Sequence, residues 1–302
     1  MLQFLIDTLL RASDLALVAL GLSMVYGLVK FPNIAHVQYA MLGAYLSFAL
    51  RALGLPLLAA IPLACLATGA LTLLLHLLVF RRLLRAGPAI TMIGSLAVAM
   101  LLVACMQGLA GSFPRMFNLP VSAPWVFGGA MLTPLQASTL SVSLLMLIGF
   151  SALLFYTRMG RALRALSSNA ALAAASGLNA EGLTRAVNFA SGALAGLGGS
   201  MLALSSGAHI NLGHDMLLPV FAAAILGGLG NPMGAVAGAV LIALTETAVT
   251  NINFGPLLAL AGGQGGMLFM PVSYIGAASF LILLLALLFK PYGLFDREVR
   301  RV

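Results

Sequence analysis

The amino-acid sequence predicts an all-α fold: a polytopic transmembrane helical bundle of about eight to ten spans, including broken or re-entrant segments, since each span needs roughly 20 apolar residues. Of its 302 residues, 62% are hydrophobic and 7% are charged, whereas about 25% are charged in a typical soluble domain. Residues 141–156 and 274–289 are apolar on every face. Helices in lipid tolerate this pattern because they satisfy their own backbone hydrogen bonds. We therefore expect a single transmembrane domain over residues 1–302.

Hydrophobic segments follow one another along the whole chain, separated by proline, glycine and asparagine residues that interrupt helices. Two of them are short and flank Gly230-Asn231-Pro232. Short or interrupted apolar segments often mark broken helices in membrane proteins. The predicted spans cover residues 12–29, 34–52, 56–79, 89–109, 136–157, 186–206, 216–230, 234–250 and 273–290.

Three clusters of basic residues predict the orientation of these spans. Even numbers of predicted spans separate the clusters, so all three lie on one side, which the positive-inside rule assigns to the cytoplasm. The N-terminus is then outside and the C-terminus cytoplasmic, and Trp125 is predicted to anchor an outer loop at the membrane boundary. The net charge of +8 arises largely in these loops, so we expect no nucleic-acid partner. The clusters are Arg81, Arg82 and Arg85; Arg158, Arg161, Arg164 and Arg185; and Lys290, Arg297, Arg300 and Arg301.

The sequence contains no recognisable catalytic or nucleotide-binding motif. It lacks the H-E-x-x-H zinc helix, the G-x-S-x-G turn and the G-x-x-x-x-G-K phosphate loop. We therefore predict no enzyme activity, no metal and no cofactor in this chain. His209, His214 and Asp215 lie close together in the sequence, but their spacing favours loop residues without a metal. Cys65 and Cys105 lie inside apolar segments and are predicted to be small core residues.

Glu246 is an ionisable residue inside a predicted span. Such residues are functional candidates, because a charge in the membrane interior is costly. Alternatively, its carboxylate is hydrogen-bonded or reaches the outer end of the span. The residues alone leave both interpretations open.

Small residues recur every four positions on two predicted helices. This spacing allows helix backbones to approach closely in lipid, and it favours packing within the chain over a subunit interface. The residues concerned are Gly192, Gly196 and Ser200, and Gly230, Gly234 and Gly238.

Residues 158–185 form the longest predicted cytoplasmic stretch. It begins with basic residues and continues as an Ala/Leu-rich run that favours a helix. Gly177 follows this run at a position where glycine commonly ends a helix. A short helix of this kind suits docking into a groove on a partner protein. An interfacial helix resting on anionic lipid has the same composition, so this alternative also remains open.

Four stretches carry motifs that occur in the same order in one family. They are Tyr26-Gly27 with Asn33-Ile34-Ala35-His36 and Met41-Leu42-Gly43-Ala44-Tyr45; Gly160-Arg161-Ala162-Leu163-Arg164-Ala165 with Asn169 and Gly177-Leu178-Asn179; residues 221–230 with Gly234-Ala235-Val236; and Lys290-Pro291-Tyr292-Gly293-Leu294-Phe295. In these stretches the chain resembles the permease subunits of branched-chain amino-acid ABC importers, specifically the shorter of their two permease types.

The resemblance implies an assembly in the bacterial cytoplasmic (inner) membrane. A second homologous permease would complete a heterodimeric pore, two cytoplasmic ATPase subunits would hold ATP and Mg, and an extracytoplasmic binding protein would deliver the substrate. Residues 158–185 would form the coupling loop that receives the ATP-driven motion. The loop positions that carry the resemblance are Gly160, Arg161, Arg164, Asn169, Gly177, Leu178 and Asn179.

The chain departs from the family pattern at two places. Ile34, Val37 and Gln38 stand where family members usually have Phe, Gly and an acidic or similar polar residue, and Ala170-Ala171 replace an acidic residue of the coupling loop. The first departure lies in a segment expected to line the substrate path. The candidate path residues are Asn33, His36, Gln38 and Glu246.

The resemblance favours branched-chain or other small amino acids as substrates, with urea, short amides or aromatic acids as alternatives. A stand-alone channel or ion-coupled carrier is the competing class of function. A carrier would need a titratable relay within the spans, for which Glu246 and His36 are the candidates. A membrane enzyme would need a catalytic set that the sequence lacks.

Overall fold

Helices and one small hairpin make up the part of the chain that the computed structural model describes, residues 1–120, 122–253, 270–271, 274–290 and 293–294. Each of the predicted apolar segments contains a helix, which confirms the all-α bundle. In chain order the elements are α1 (Leu2–Val29), α2 (His36–Ala52), α3 (Leu57–Ala86), α4 (Pro88–Ala110), β1 (Trp125–Phe127), β2 (Ala130–Leu132), α5 (Pro134–Tyr156), α6 (Arg158–Ser168), α7 (Ala170–Ala175), α8 (Ala180–Ser206), α9 (Leu212–Gly227), α10 (Pro232–Asn251) and α11 (Ile275–Phe289).

Several helices are longer than their hydrophobic segments. Six are long and apolar enough to cross a membrane by length and composition, namely α1, α3, α4, α5, α8 and α10. The prediction for the first span was wrong at its start, because α1 begins at Leu2 and not at residue 12. Asp7, Arg11 and Asp14 lower the hydropathy of this first part. Arg11 is accommodated there because it pairs with Glu246 of α10 at 2.6 Å. α3 likewise continues to Ala86 through a π-helical turn at His76–Phe80.

α2 is a buried helix at the centre of the bundle, and an irregular turn separates it from α1. Lys30 ends α1 with a left-handed backbone (φ 56°), and α2 then begins beside the middle of α1, where His36 Nε2 lies 3.1 Å from the Val18 carbonyl. Side-chain oxygens hold the intervening turn: Asn33 Oδ1 accepts from Ala35 N–H at 3.1 Å, and Ser95 Oγ accepts from Ile34 N–H at 3.0 Å. Irregular backbone at membrane depth is tolerated only where protein encloses it in this way.

The small-residue stripes lie at contacts between helices of this chain. A Cβ built on Gly43 of α2 would lie 2.3 Å from the Gly196 backbone of α8, and Ser200 Oγ donates to the Gly43 carbonyl at 3.0 Å. Gly192 and Gly196 also face Thr72 and Thr68 of α3, respectively. On the second stripe, Gly230 faces Gly27, Gly234 faces Gly227, and Gly238 faces Ala223.

The outer helices α4, α5 and α11 present apolar side chains away from the protein. Ile93, Leu145 and Leu288 are 66%, 69% and 72% exposed. A surface of this kind would aggregate in water, whereas in a bilayer it contacts lipid or another membrane subunit.

Different contacts mark the two ends of the bundle. Arg81 at the end of α3 and Arg185 near the start of α8 both pair with Glu181, at 2.8 and 2.6 Å. Leu28 and Val29 of α1 line the same cleft, so α1 ends on the basic side. At the opposite end, Gln3 Oε1 accepts from Met131 N–H of the hairpin at 2.8 Å.

The hairpin was not predicted from the sequence. β1 and β2 pair antiparallel, with Trp125 opposite Leu132, and Trp125 is 50% exposed on this outer hairpin. The acidic residues Asp296 and Glu298 and the predicted tail cluster, apart from Lys290, lie outside the described residues.

Candidate functional site

α6 folds back against the end of α5 in a turn that requires glycine at position 160. A Cβ on Gly160 would lie 1.9 Å from the Leu154 carbonyl oxygen. Arg161 Nη1 donates to the Tyr156 carbonyl at 3.4 Å, and Arg164 Nη1 donates to the Leu154 carbonyl. The two arginines thus cover the end of α5, where carbonyls lack helical partners and carry a partial negative charge.

End caps define α7. Asn169 Oδ1 accepts from Leu172 N–H at 3.0 Å at its start. At its end Gly177 adopts φ +81°, while Gly177 N–H donates to the Ala174 carbonyl and Leu178 N–H to the Ala173 carbonyl, at 3.0 and 3.2 Å. This pair of bonds is the Schellman motif.

Asn179 then begins α8, with Oδ1 accepting from Gly182 N–H at 2.8 Å. The coupling-loop positions predicted from the sequence are therefore brought together in one elbow of two short helices. Within this chain, Gly160, Asn169, Gly177 and Asn179 shape that elbow, and the two arginines attach it to α5.

The elbow presents an apolar face away from the bundle. Leu163 and Leu166 of α6 are buried, at 3% and 7% exposure, whereas Leu172 of α7 is 66% exposed. The alanines around Leu172 are exposed too, except Ala173. We call Leu172 with Ala170, Ala171, Ala174 and Ala175 the α7 face. An exposed apolar surface of this kind is typical of an interaction site.

Two of the candidate path residues pack at the break between α1 and α2. Asn33 holds the turn before α2 and is 3% exposed. The His36 ring is fully buried, packs edge-on against Tyr39 at 5.8 Å between centroids, and contacts Gly21 of α1. Both residues therefore stabilise the break between α1 and α2.

Gln38 is placed differently. Its side chain lines a groove of ≈ 500 Å³ between α2, α4 and α9, although the residue is only 7% exposed. Its Oε1 is a buried acceptor without a hydrogen-bond partner in the described part of the chain. Gln38 is the candidate path residue that the structure places at a cavity wall.

Glu246 forms a buried ion pair. Oε2 accepts from Arg11 Nε at 2.6 Å, and Oε1 accepts from Ser279 Oγ at 2.5 Å. The carboxylate is 2% exposed and links α10 to α1 and α11. The structure favours the hydrogen-bonded interpretation, and Glu246 is not among the residues that line the groove.

His209 and Asp215 face each other where the α8–α9 connection meets α9. His209 Nε2 lies 3.3 Å from Asp215 Oδ2, and the described residues contain no group of three potential metal ligands. His214 lines the same groove as Gln38.

The sequence analysis did not identify α4 as the wall of the groove that lies opposite Gln38. α4 contributes Leu96, Met100, Val103 and Gln107, which share one helical face at spacings of three and four. The spacing predicts the face but does not identify the helix opposite it. Sequence reasoning also missed Asn211 of the α8–α9 connection, for which the sequence offers no signal.

Comparisons with known proteins agree along almost the whole chain. Residues 4–289 match a family model described as branched-chain amino acid transport system / permease component. A probable branched-chain amino acid transport permease protein LivH from Methanocaldococcus jannaschii is 32% identical over 292 residues, which cover 93% of this chain and 88% of the relative.

Two bacterial relatives span the full chain. BraD of Pseudomonas aeruginosa, a high-affinity branched-chain amino acid transport system permease protein, is 27% identical over 318 residues, covering 100% of this chain and 98% of its own. LivH of Escherichia coli K12, which bears the same description, is 28% identical over 322 residues. These residues cover 100% of this chain and 97% of the relative.

Proposed function

Since this chain belongs to the family of branched-chain amino acid transport permease components, we propose that it is the membrane-spanning permease subunit of a binding-protein-dependent ABC importer for branched-chain or other small amino acids. It is a transport subunit and not an enzyme, and it resides in the inner membrane. Residues 1–302 act as one permease domain with a coupling loop at about 158–185.

The proposed assembly contains a second homologous permease, two cytoplasmic ATPases and an extracytoplasmic binding protein. ATP and Mg bind in the ATPases. The exposed apolar helices α4, α5 and α11 offer surfaces for the second permease, and the sequence supplies no phosphate-binding loop of its own.

The α7 face is the observation that carries the proposed coupling role. It lies on the same side of the bundle as Arg81 and Arg185, on an elbow whose ends are capped by hydrogen bonds. A groove on the ATPase would receive Leu172, the exposed large apolar side chain of this face.

The elbow can carry motion in two directions. Through Gly160, Arg161 and Arg164 it is attached to the end of α5, and through Asn179 it continues into α8. α8 packs closely on α2, the helix that carries Gln38. A displacement of α7 would therefore be transmitted through α8 to α2 and the irregular turn before it. Such transmission through rigid helices is expected for a bundle that alternates between two packings.

A cytoplasmic C-terminus is part of this proposal. Leu294 N–H donates to the Leu226 carbonyl at 2.7 Å, near the end of α9. The turn after α9 packs on α1 near its basic end, through Gly230 and Gly27. These contacts support the assignment made from the basic tail.

The names of the relatives favour branched-chain amino acids over urea, short amides or aromatic acids. An ion-coupled carrier receives less support. Glu246 is engaged in an ion pair with Arg11, and His36 is enclosed by α1 and Tyr39, and these contacts give both residues a role in packing.

Changing Leu172 to Asp tests the docking proposal. The charged side chain cannot be buried in an apolar groove without a large cost, so we expect affinity-tagged Leu172→Asp permease to lose the ATPases on purification from co-expressing cells. Phe113→Asp, an outer-loop change at a position 83% exposed, is the control and should retain them. ATPases bound to Leu172→Asp at wild-type stoichiometry would refute this docking site.

A further inference from the structure

The cleft at the basic end of the bundle, where α1 and α3 end and α8 begins, has a volume of ≈ 290 Å³. One part of its wall is apolar and comes from α1 and α3, whereas the other part is polar and comes from α3 and α8. The apolar side chains are Leu28, Val29, Leu77 and Leu84, and the polar ones are His76, Arg81, Glu181, Thr184 and Arg185. The cleft therefore suits an amphiphilic occupant.

His76 is a buried polar side chain that lacks a partner in this cleft. The residue is 6% exposed, and its ring makes no hydrogen bond within the described part of the chain. Neither ring nitrogen belongs to the fully enclosed unpartnered atoms there, so both retain surface along the cleft wall. His76 also begins the π-helical turn of α3, and such turns are frequent at functional sites. Buried polar groups are nearly always hydrogen-bonded, so this ring indicates a missing partner in the cleft.

Arg81 and Arg185 supply the positive charge of the cleft. Both pair with Glu181, at 2.8 and 2.6 Å, so these three side chains carry one net positive charge. A guanidinium has five N–H donors, and each of these contacts uses one, so donors remain on both arginines. A group with one negative charge would neutralise the three side chains and accept hydrogen bonds from both arginines.

The polar groups of the cleft lie at two depths. Because α3 ends at the basic end of the bundle, His76 lies deeper than Arg81, by roughly 7 Å along the helix axis. A phospholipid carries polar groups at two such levels, namely the phosphate of its headgroup and the ester carbonyls of its acyl chains. Free phosphate offers the first of these alone. The two depths and the apolar wall beside them therefore favour a lipid over a free anion.

We propose that this cleft binds an anionic phospholipid from the leaflet at the basic end of the bundle. Arg81 and Arg185 contact its phosphate, and His76 donates a hydrogen bond to an ester carbonyl. One acyl chain lies against Leu77 and Leu84 of α3. Basic pockets between transmembrane helices on the cytoplasmic side are known to bind lipid headgroups. The proposal goes beyond the importer function and does not depend on it.

Native mass spectrometry of the purified chain with added phosphatidylglycerol tests this site. The wild-type chain should retain one phosphatidylglycerol and prefer it to phosphatidylcholine, whose headgroup has no net charge. Arg81→Gln combined with Arg185→Gln should weaken phosphatidylglycerol binding about tenfold, as expected for losing hydrogen bonds between charged groups. The matched control is Arg82→Gln combined with Arg85→Gln, which removes the same charge from the same end of the bundle but outside the cleft. The control should bind phosphatidylglycerol as the wild type does.

His76→Leu provides a second approach that leaves the contacts of both arginines with Glu181 in place. The ring has no hydrogen-bond partner to lose in the described part of the chain, so this change should not lower the thermal unfolding temperature in lipid-free detergent. It should weaken phosphatidylglycerol binding, because the donor to the ester carbonyl is removed. His76→Gln keeps a donor and should bind the lipid more tightly than His76→Leu does.

Wild-type phosphatidylglycerol binding in the cleft arginine variant, or in His76→Leu where the arginine variant does not fold, would overturn the proposal. Equal losses in the cleft and control arginine variants would also overturn it, since they would indicate a general attraction to basic charge. Inorganic phosphate distinguishes the two sources of a phosphate group. It should not displace phosphatidylglycerol at equal concentration, and displacement would assign the cleft to a free anion instead of a lipid.

Discussion

Replacing Gly199 by alanine is expected to lower the free energy of unfolding by about 3 kcal/mol, the upper part of the usual range for overpacking a core. A Cβ at this position of α8 would lie 1.9 Å from the carbonyl oxygen of Ala40 in α2 and 2.4 Å from its carbon. Backbone atoms cannot rotate away as a side chain can. α2 must therefore shift as a whole, which also disturbs the Gly43–Gly196 contact.

Thermal unfolding of the purified chain in detergent measures this effect. Gly149→Ala serves as the control, since no atom lies within 4 Å of its added methyl. Alanine should stabilise that helix by roughly 0.5–1 kcal/mol relative to glycine. Equal unfolding temperatures for the Gly199 and Gly149 variants would contradict the close α2–α8 contact.

Changing Glu246 to alanine is the second substitution with a large expected effect. Removing one partner of a buried ion pair costs about 3–5 kcal/mol because the other charge is left uncompensated. Arg11 is 26% exposed and can partly reach water. We therefore expect the free energy of unfolding to fall by about 3 kcal/mol, the lower end of this range. Ser279 Oγ also loses its bond to Glu246 and keeps the Ile275 carbonyl, at 3.1 Å, as an acceptor.

A double variant tests whether the uncompensated charge is the cause. Arg11→Met combined with Glu246→Met removes both charges, and apolar replacements of a buried pair are often neutral. It should recover most of the lost stability in the same unfolding measurement. If the double variant is as unstable as Glu246→Ala, an uncompensated charge on Arg11 is not the cause.

Hydropathy predicts the number and order of the helices well, because a helix must be apolar to cross lipid. It predicts their ends and burial less well. The start of α1 carries Asp7, Arg11 and Asp14, and its helix becomes evident only when Glu246, 235 residues from Arg11, is placed beside it. The central burial of α2 likewise depends on Gly196 and Gly199 of α8, whose contacts with it are not encoded locally.

The sequence predicts more of the backbone shape of the elbow of α6 and α7 than of its contacts. Gly177 ends α7 as its sequence position indicates, because a helix end in the left-handed region favours glycine. The attachment of Arg161 and Arg164 to α5 could not be foreseen, since a guanidinium can serve many acceptors. Gln38 was a candidate because it lies in a segment expected to line the path, where the chain departs from the family pattern, but its unpartnered oxygen is visible only in the fold.

ATP-dependent uptake of labelled leucine into proteoliposomes tests the central claim most directly. The vesicles would carry this chain with its partner permease and ATPases, with the binding protein on one side and ATP on the other. We predict uptake that requires ATP and every partner, and none from vesicles that hold this chain alone. Leucine movement by the chain alone, without ATP, would contradict the account.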